Sequence, residues 1–177
     1  MWKKVVFLAS LLLAFTVLAA SQDKSSRPSP PAQAQCKFSD GKTLTIDYSS
    51  PRMKGRKIYG GLVPYGKVDR TGANEATTFV TDGNLTVGGK DVPAGSYTIF
   101  TVPNPDKWTL IINKKTGEWG IPYKYEGDEL ARVDMKVTST SAPVENFTIA
   151  LASMGGSCML SISWENTQAS VNISEKK

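Results

Sequence analysis

Between Lys42 and Ser174, apolar and polar residues alternate in short runs, a period of two that a chain can bury only as β-strands. KTLTIDY, residues 42–48, sets Leu44, Ile46 and Tyr48 on one face and Thr43, Thr45 and Asp47 on the other, the pattern of a half-buried strand. ATTFVTD, NLTVGG, GSYTIFTVP, KWTLIIN, ARVDMKVTS, ENFTIALA, SCMLSISW and ASVNIS follow in the same style. Turn signals separate them: DGN at 82–84, GGKD at 88–91, PNPD at 103–106 and MGG at 154–156. No ten-residue stretch carries a helical stripe, and no internal repeat is present. The spacing predicts an all-β fold, an antiparallel β-sandwich of about nine strands ordered as a jelly roll or Greek key.

The first twenty residues, MWKKVVFLASLLLAFTVLAA, join Lys3 and Lys4 to an apolar run and end in small residues, which reads as a secretory signal peptide at 1–20. A retained anchor is the alternative, but the run is shorter than the ~20 residues that span a bilayer. Cys36 follows Gln35 rather than a small residue, against lipid attachment there. Residues 21–35, rich in Ser, Pro and Gln, read as a disordered tether, and residues 36–177 as a single β-sandwich domain. The expected location is periplasmic or extracellular, with no stable membrane insertion after signal cleavage. Without Lys3 and Lys4 the chain holds nineteen basic and sixteen acidic residues, a net charge of +3, too mild for a nucleic-acid partner. MKGRK at 53–57 is the densest basic patch, a solvated loop or an anion site.

Two cysteines, Cys36 and Cys158, stand at opposite ends of the domain. In an oxidising compartment that arrangement predicts a disulfide between the first and last strands, with two buried thiols as the alternative. Histidine is absent. Ser-His-Asp and Cys-His machinery and histidine-ligated zinc or copper are therefore excluded. No cofactor and no metal are expected. Asp82 and Asn84 could offer oxygen ligands to calcium, but DGN is first of all a turn.

Two excursions break the strand rhythm, at about 49–75 and at 114–130, and loops of this length in a small domain are functional or disordered. The first contains GKVDRTGANEAT, residues 66–77. Arg70 offers a planar fork of donors, Glu75 can accept it, Asn74 can tie turn backbone, and Gly72 permits a positive φ. Such a set could hold the loop in shape, or put Arg70, Asn74 and Glu75 at the mouth of a groove facing a polar ligand. The second excursion supplies Trp119, Tyr123 and Tyr125, amphipathic plates that can stack on a sugar or peptide or pack into the core. Trp108 and Trp164, inside strand patterns, read as core. A hydrolase would need two carboxylates across a cleft, such as Glu75 with Asp128 or Asp134, and no diagnostic spacing supports one.

PYGKVDRTGANEATTF, VPAGSYTIFTVP, WTLIIN with GEWG and a following Tyr, DELARVDMKV and SISW, in this order over nearly the whole mature chain, resemble a bacterial family of secreted domains catalogued as domain of unknown function 2911. The resemblance implies an all-β extracytoplasmic domain and assigns no activity. One position departs from it: Asp69 stands where a tryptophan is expected before Arg-Thr-Gly. In a bacterial chain the triplets at Asn84, Asn146 and Asn172 are not glycan acceptors. The expected function is a binding module for a glycan, peptide or envelope component through the two excursions, with no catalytic residue. The rivals are a carboxylate-dependent hydrolase and a structural envelope domain without a small ligand. Nothing in the chain sets its oligomeric state.

Overall fold

The computed structural model describes residues 24–176. The signal peptide expected at 1–20 lies outside them. Apart from short 3-10 turns at Lys24–Ser26 and Glu126–Asp128, the regular structure is strand: β1 (Pro31–Lys37), β2 (Thr43–Ser49), β3 (Thr78–Thr81), β4 (Leu85–Val87), β5 (Lys90–Val92), β6 (Gly95–Val102), β7 (Lys107–Asn113), β8 (Glu129–Ser153) and β9 (Ser157–Glu175). They form one antiparallel sheet of nine strands in the order β1-β2-β3-β6-β7-β8-β9-β4-β5.

That order forces the sheet to fold over. β3 and β4 stand five places apart, about 24 Å across a flat sheet at ~4.8 Å per strand. Yet Thr81 and Leu85 are joined by Asp82, Gly83 and Asn84 alone, a reach of at most about 14 Å. The sheet therefore curls into an open sandwich, and the crossing of the β4–β5 hairpin to β9 has the Greek-key character the spacing predicts. The long β8–β9 hairpin carries the chain between layers, its pairing interrupted between Ser139 and Val144 and again before Thr148. Its distal half lies opposite β1 and β2. The Cys36–Cys158 disulfide joins β1 to β9 there, with the Cα atoms 6.4 Å apart, as the sequence predicts. The Tyr48 hydroxyl accepts the Ile149 N–H at 3.1 Å, and beyond β2 the Met53 N–H donates to the Glu145 carbonyl at 2.7 Å.

The alternation sends Leu44, Ile46, Phe79, Ile99, Leu110, Ile112, Ile149, Leu160 and Ile162 into one core between the layers. Trp108 and Trp164 join it, as expected. The strand number matches the expectation, but the parts differ. β8 and β9 each unite two predicted strands, and β9 turns the corner at Glu165, which holds φ +54° opposite Val144 where the pairing with β8 is interrupted. β5 is a further short strand. The expectation that the folded part starts at Cys36 is corrected: β1 begins at Pro31, inside the stretch read as tether. PAQAQCK buries Ala34 and Cys36 and exposes Gln33, Gln35 and Lys37, a period-two pattern hidden by small apolar residues.

Candidate functional site

β6 is covered on both faces. Ile99 points into the main core, whereas its neighbour Phe100, with Ile111 opposite on β7, points outward and forms a second apolar cluster with Ala76. The two excursions cover this outer face. The first is a closed loop with both feet on β6: Asp69 exchanges backbone hydrogen bonds with Thr101 at 2.7 and 3.0 Å, and the Ile99 N–H donates to the Thr77 carbonyl at 2.9 Å. RTGANEA, residues 70–76, bulges between feet only two residues apart.

Inside that loop most polar groups are committed. The Asp69 carboxylate accepts the Thr71 N–H at 2.8 Å, and the Thr77 hydroxyl donates to the Thr71 carbonyl at 2.5 Å. Thr71 and Asn74 hold φ near +60°, and these hydrogen bonds offset the cost of that conformation. Gly72 has φ +141°, and a Cβ there would lie 2.8 Å from the Ser49 carbonyl oxygen, so only glycine fits. Arg70 donates to the Asn74 carbonyl at 2.6 Å, and its guanidinium lies 5.6 Å from the centre of the Trp119 ring. The Asn74 amide donates to the Ser29 carbonyl at 3.0 Å. Both carboxylate oxygens of Glu75 accept from Arg27, at 2.9 and 3.0 Å, with Lys24 3.4 Å away. Residues 24–30 are therefore a strap bound across the loop.

The second excursion is nailed to β7 by Asn113, which is fully buried and donates to the Tyr125 carbonyl and the Tyr123 hydroxyl at 2.8 and 3.2 Å. Tyr123 packs edge-on against Phe100 at 4.8 Å and Tyr125 stacks on it at 6.0 Å. Burying Phe100 and Ile111 stabilises by about 1.5–3 kcal/mol each, more than the ~1 kcal/mol of a hydroxyl hydrogen bond, so the main physical role of these rings is as a cover. The Tyr123 hydroxyl donates to Glu129 at 2.6 Å, and burial, then that carboxylate, raises its pKa. Where the excursions touch, the Ala76 N–H donates to the Glu118 carbonyl at 3.1 Å, and a Cβ on Gly120 would meet the Cβ atoms of Ala76 and Arg70 at 3.1 Å.

Of the six residues singled out from sequence, Arg70 and Asn74 line a cleft of about 360 Å³. Its apolar wall is Leu62, Val63 and Trp164, and Arg56 and Asp69 complete its polar side. Trp119 lies outside it, 57% exposed, lidding Arg70. Tyr123 and Tyr125 are on the outer face, and Glu75 borders a separate depression of about 170 Å³ beside Tyr48 and Lys24. Asp69, Arg56, Leu62 and Trp164 were not among the six. MKGRK and the anomalous Asp69 were the visible signals, but nothing local tied them together.

The electrostatics separate two carboxyls. Asp69 as a whole residue is half-buried, but its carboxyl sits deep enough that desolvation raises its pKa against the pull of the Thr71 N–H and Arg70. Glu75 is lowered, by its own backbone N–H first and then by Arg27. A general acid needs a proton at working pH, so Glu75 is poorly suited to that task. Asp134 pairs with Lys107 at 3.1 Å. Among the described residues no group of three or more acidic or cysteine side chains could hold a metal ion. Nor is any helix there long and apolar enough to cross a membrane.

No curated protein and no solved structure matches the chain. One family does match, over residues 29–173, which take in every strand except the end of β9 together with both excursions, and the chain belongs to that family, described as protein of unknown function (DUF2911).

Proposed function

We propose that this domain is a non-catalytic binding module of the periplasm or cell exterior, taking a glycan, peptide or other envelope component in the cleft beside the RTGAN loop. The observation that carries the reading is the convergence on one concavity of Arg56, Asp69, Arg70 and Asn74 with the apolar wall of Leu62, Val63 and Trp164. A concave site with apolar walls and a few directed polar groups is the usual form of a ligand site. Leu62 is 50% exposed there although it is a large apolar side chain. The strained φ values of Thr71 and Asn74 support it too, since such conformations concentrate at ligand clamps. The disulfide and the absence of a membrane-spanning helix among the described residues are consistent with that location.

The test is a titration of isotope-labelled protein with neutral oligosaccharides, short peptides and peptidoglycan fragments, followed by amide chemical shifts. Binding in the cleft moves Leu62, Arg70 and Asn74 together, and Leu62→Ser weakens it at least threefold with an unchanged melting temperature. Shifts confined to the outer face around Tyr123, or none across the panel, would overturn the assignment.

A further inference from the structure

The cleft has a neighbour at Arg56. Ser29, Pro51 and Arg56 are also the wall of a second depression, of about 330 Å³, whose remaining lining is Pro28, Arg52 and Lys54. The two depressions thus adjoin at Arg56, one with the apolar wall of Leu62 and Trp164, the other with a basic lining. Arg52, Lys54 and Arg56 have no carboxylate partner in any ion pair among the described residues. The nearby carboxylates are taken up by main chain: Glu145 accepts the Lys54 N–H at 2.9 Å, and Glu165 the N–H groups of Ile58 and Tyr59 at 3.2 and 3.4 Å.

The two guanidiniums are held in place before any ligand arrives. Arg52 donates to the carbonyl and hydroxyl oxygens of Ser50 at 2.7 and 2.8 Å. Arg56 donates through Nε to the Met53 carbonyl at 2.9 Å and through Nη2 to the Arg52 carbonyl at 2.5 Å. Each bond uses one edge of the fork and leaves other N–H groups free. Arginine carries about 2 kcal/mol of rotamer entropy, so prior ordering lowers the cost of gripping an anion. Three cations around one depression exceed what a single carboxylate neutralises, and they match the higher charge and several acceptor oxygens of a phosphate group.

We propose that the basic depression is a subsite for a phosphate-type anion, and that the ligand of the cleft is an amphiphile or envelope fragment carrying such a group. This deepens the binding-module reading and rests on it. The test titrates labelled protein with inorganic pyrophosphate and, separately, with vesicles of phosphatidylglycerol in phosphatidylcholine. Pyrophosphate that shifts Arg52, Lys54 and Arg56, with affinity reduced at least tenfold in R52Q/R56Q and several-fold in the surface variant K54Q, supports a soluble phosphate source. Vesicle binding lost in R52Q/R56Q and displaced by pyrophosphate supports a lipid headgroup. Shifts spread evenly over remote lysines such as Lys90 and Lys136, no response to either probe, or undiminished binding in folded R52Q/R56Q and K54Q overturns the subsite. A neutral fragment that moves Leu62 and Asn74 in the parent protein while neither phosphate probe binds would leave the cleft standing while the anion subsite falls.

Discussion

At Asp69 the loop buries a carboxyl whose own turn amides favour the ionised form while desolvation opposes it, and desolvation prevails. A carboxyl with its folded pKa above the unfolded one binds its proton more tightly in the folded state. Stability therefore falls as pH rises from the ordinary value of 3.8 through the folded value. Asp69→Asn keeps an acceptor for the Thr71 N–H and removes the charge. Its unfolding midpoint should exceed the parent's at pH 7 and converge with it at pH 3. A lower midpoint at pH 7 would show that the negative charge itself holds the turn. Glu75 has the opposite sign: its lowered pKa gives stability above the ordinary value of 4.5 that is lost as pH falls through the folded value. Arg27→Ala should cost no more than about 1 kcal/mol at pH 7, because Glu75 is 43% exposed, and should cost nothing at pH 2. Melting curves at the two pH values decide this.

At the scale of elements, the strap and the two excursions depend on each other through few contacts. Losing the Arg27–Glu75 pair removes one tie of the strap, while the Asn74–Ser29 bond, the Ser50 N–H to the Pro30 carbonyl and the Lys24–Glu75 ion pair are among those that stay. Faster limited proteolysis before Pro30 in Arg27→Ala, with cleavage elsewhere unchanged, is the expected result. The tyrosine cover and the tryptophan lid differ in consequence. Tyr123→Ala opens Phe100 and Ile111 to water and should cost about 2–4 kcal/mol, whereas Trp119→Ala removes an exposed cation–π contact worth about 0.5–1 kcal/mol. Urea titrations measure both, and equal costs would contradict the division of labour between them. Gly120, at φ +99°, stands where the excursions meet. A side chain there has to push Ala76 and Arg70 away, so Gly120→Ala should loosen both loops in hydrogen exchange and leave β1–β2 protected.

On the scale of the whole molecule, the disulfide closes a sequence separation of 122 residues across the two layers. Loop-closure entropy gives about 4–5 kcal/mol for such a span, and removals in small secreted domains cost about 2–5 kcal/mol. C36S/C158S should fall in that range by denaturant unfolding, with the largest rise in hydrogen exchange along β1. A change below about 1 kcal/mol would mean that the pairing of β1 with β2 holds that edge unaided.

The alternation of residues was enough to establish an all-β chain, to mark most of its strands and to set apart both excursions, because a strand's exposed and buried faces are written into adjacent positions. The two cysteines were legible for a similar reason: few pairings are open to two residues. β1 was not legible, since Ala34 and Cys36 are buried by what the folded-over hairpin lays opposite them. The same holds for the cleft. Arg56, Leu62, Arg70 and Trp164 share a wall only because β9 crosses layers and the RTGAN loop returns to the strand it left. Tyr123 and Tyr125 were drawn inward by Phe100, an outward residue of a strand whose alternation alone does not say that a second layer covers it. Local pattern decides which face a residue takes, whereas only the path of the chain decides what that face meets.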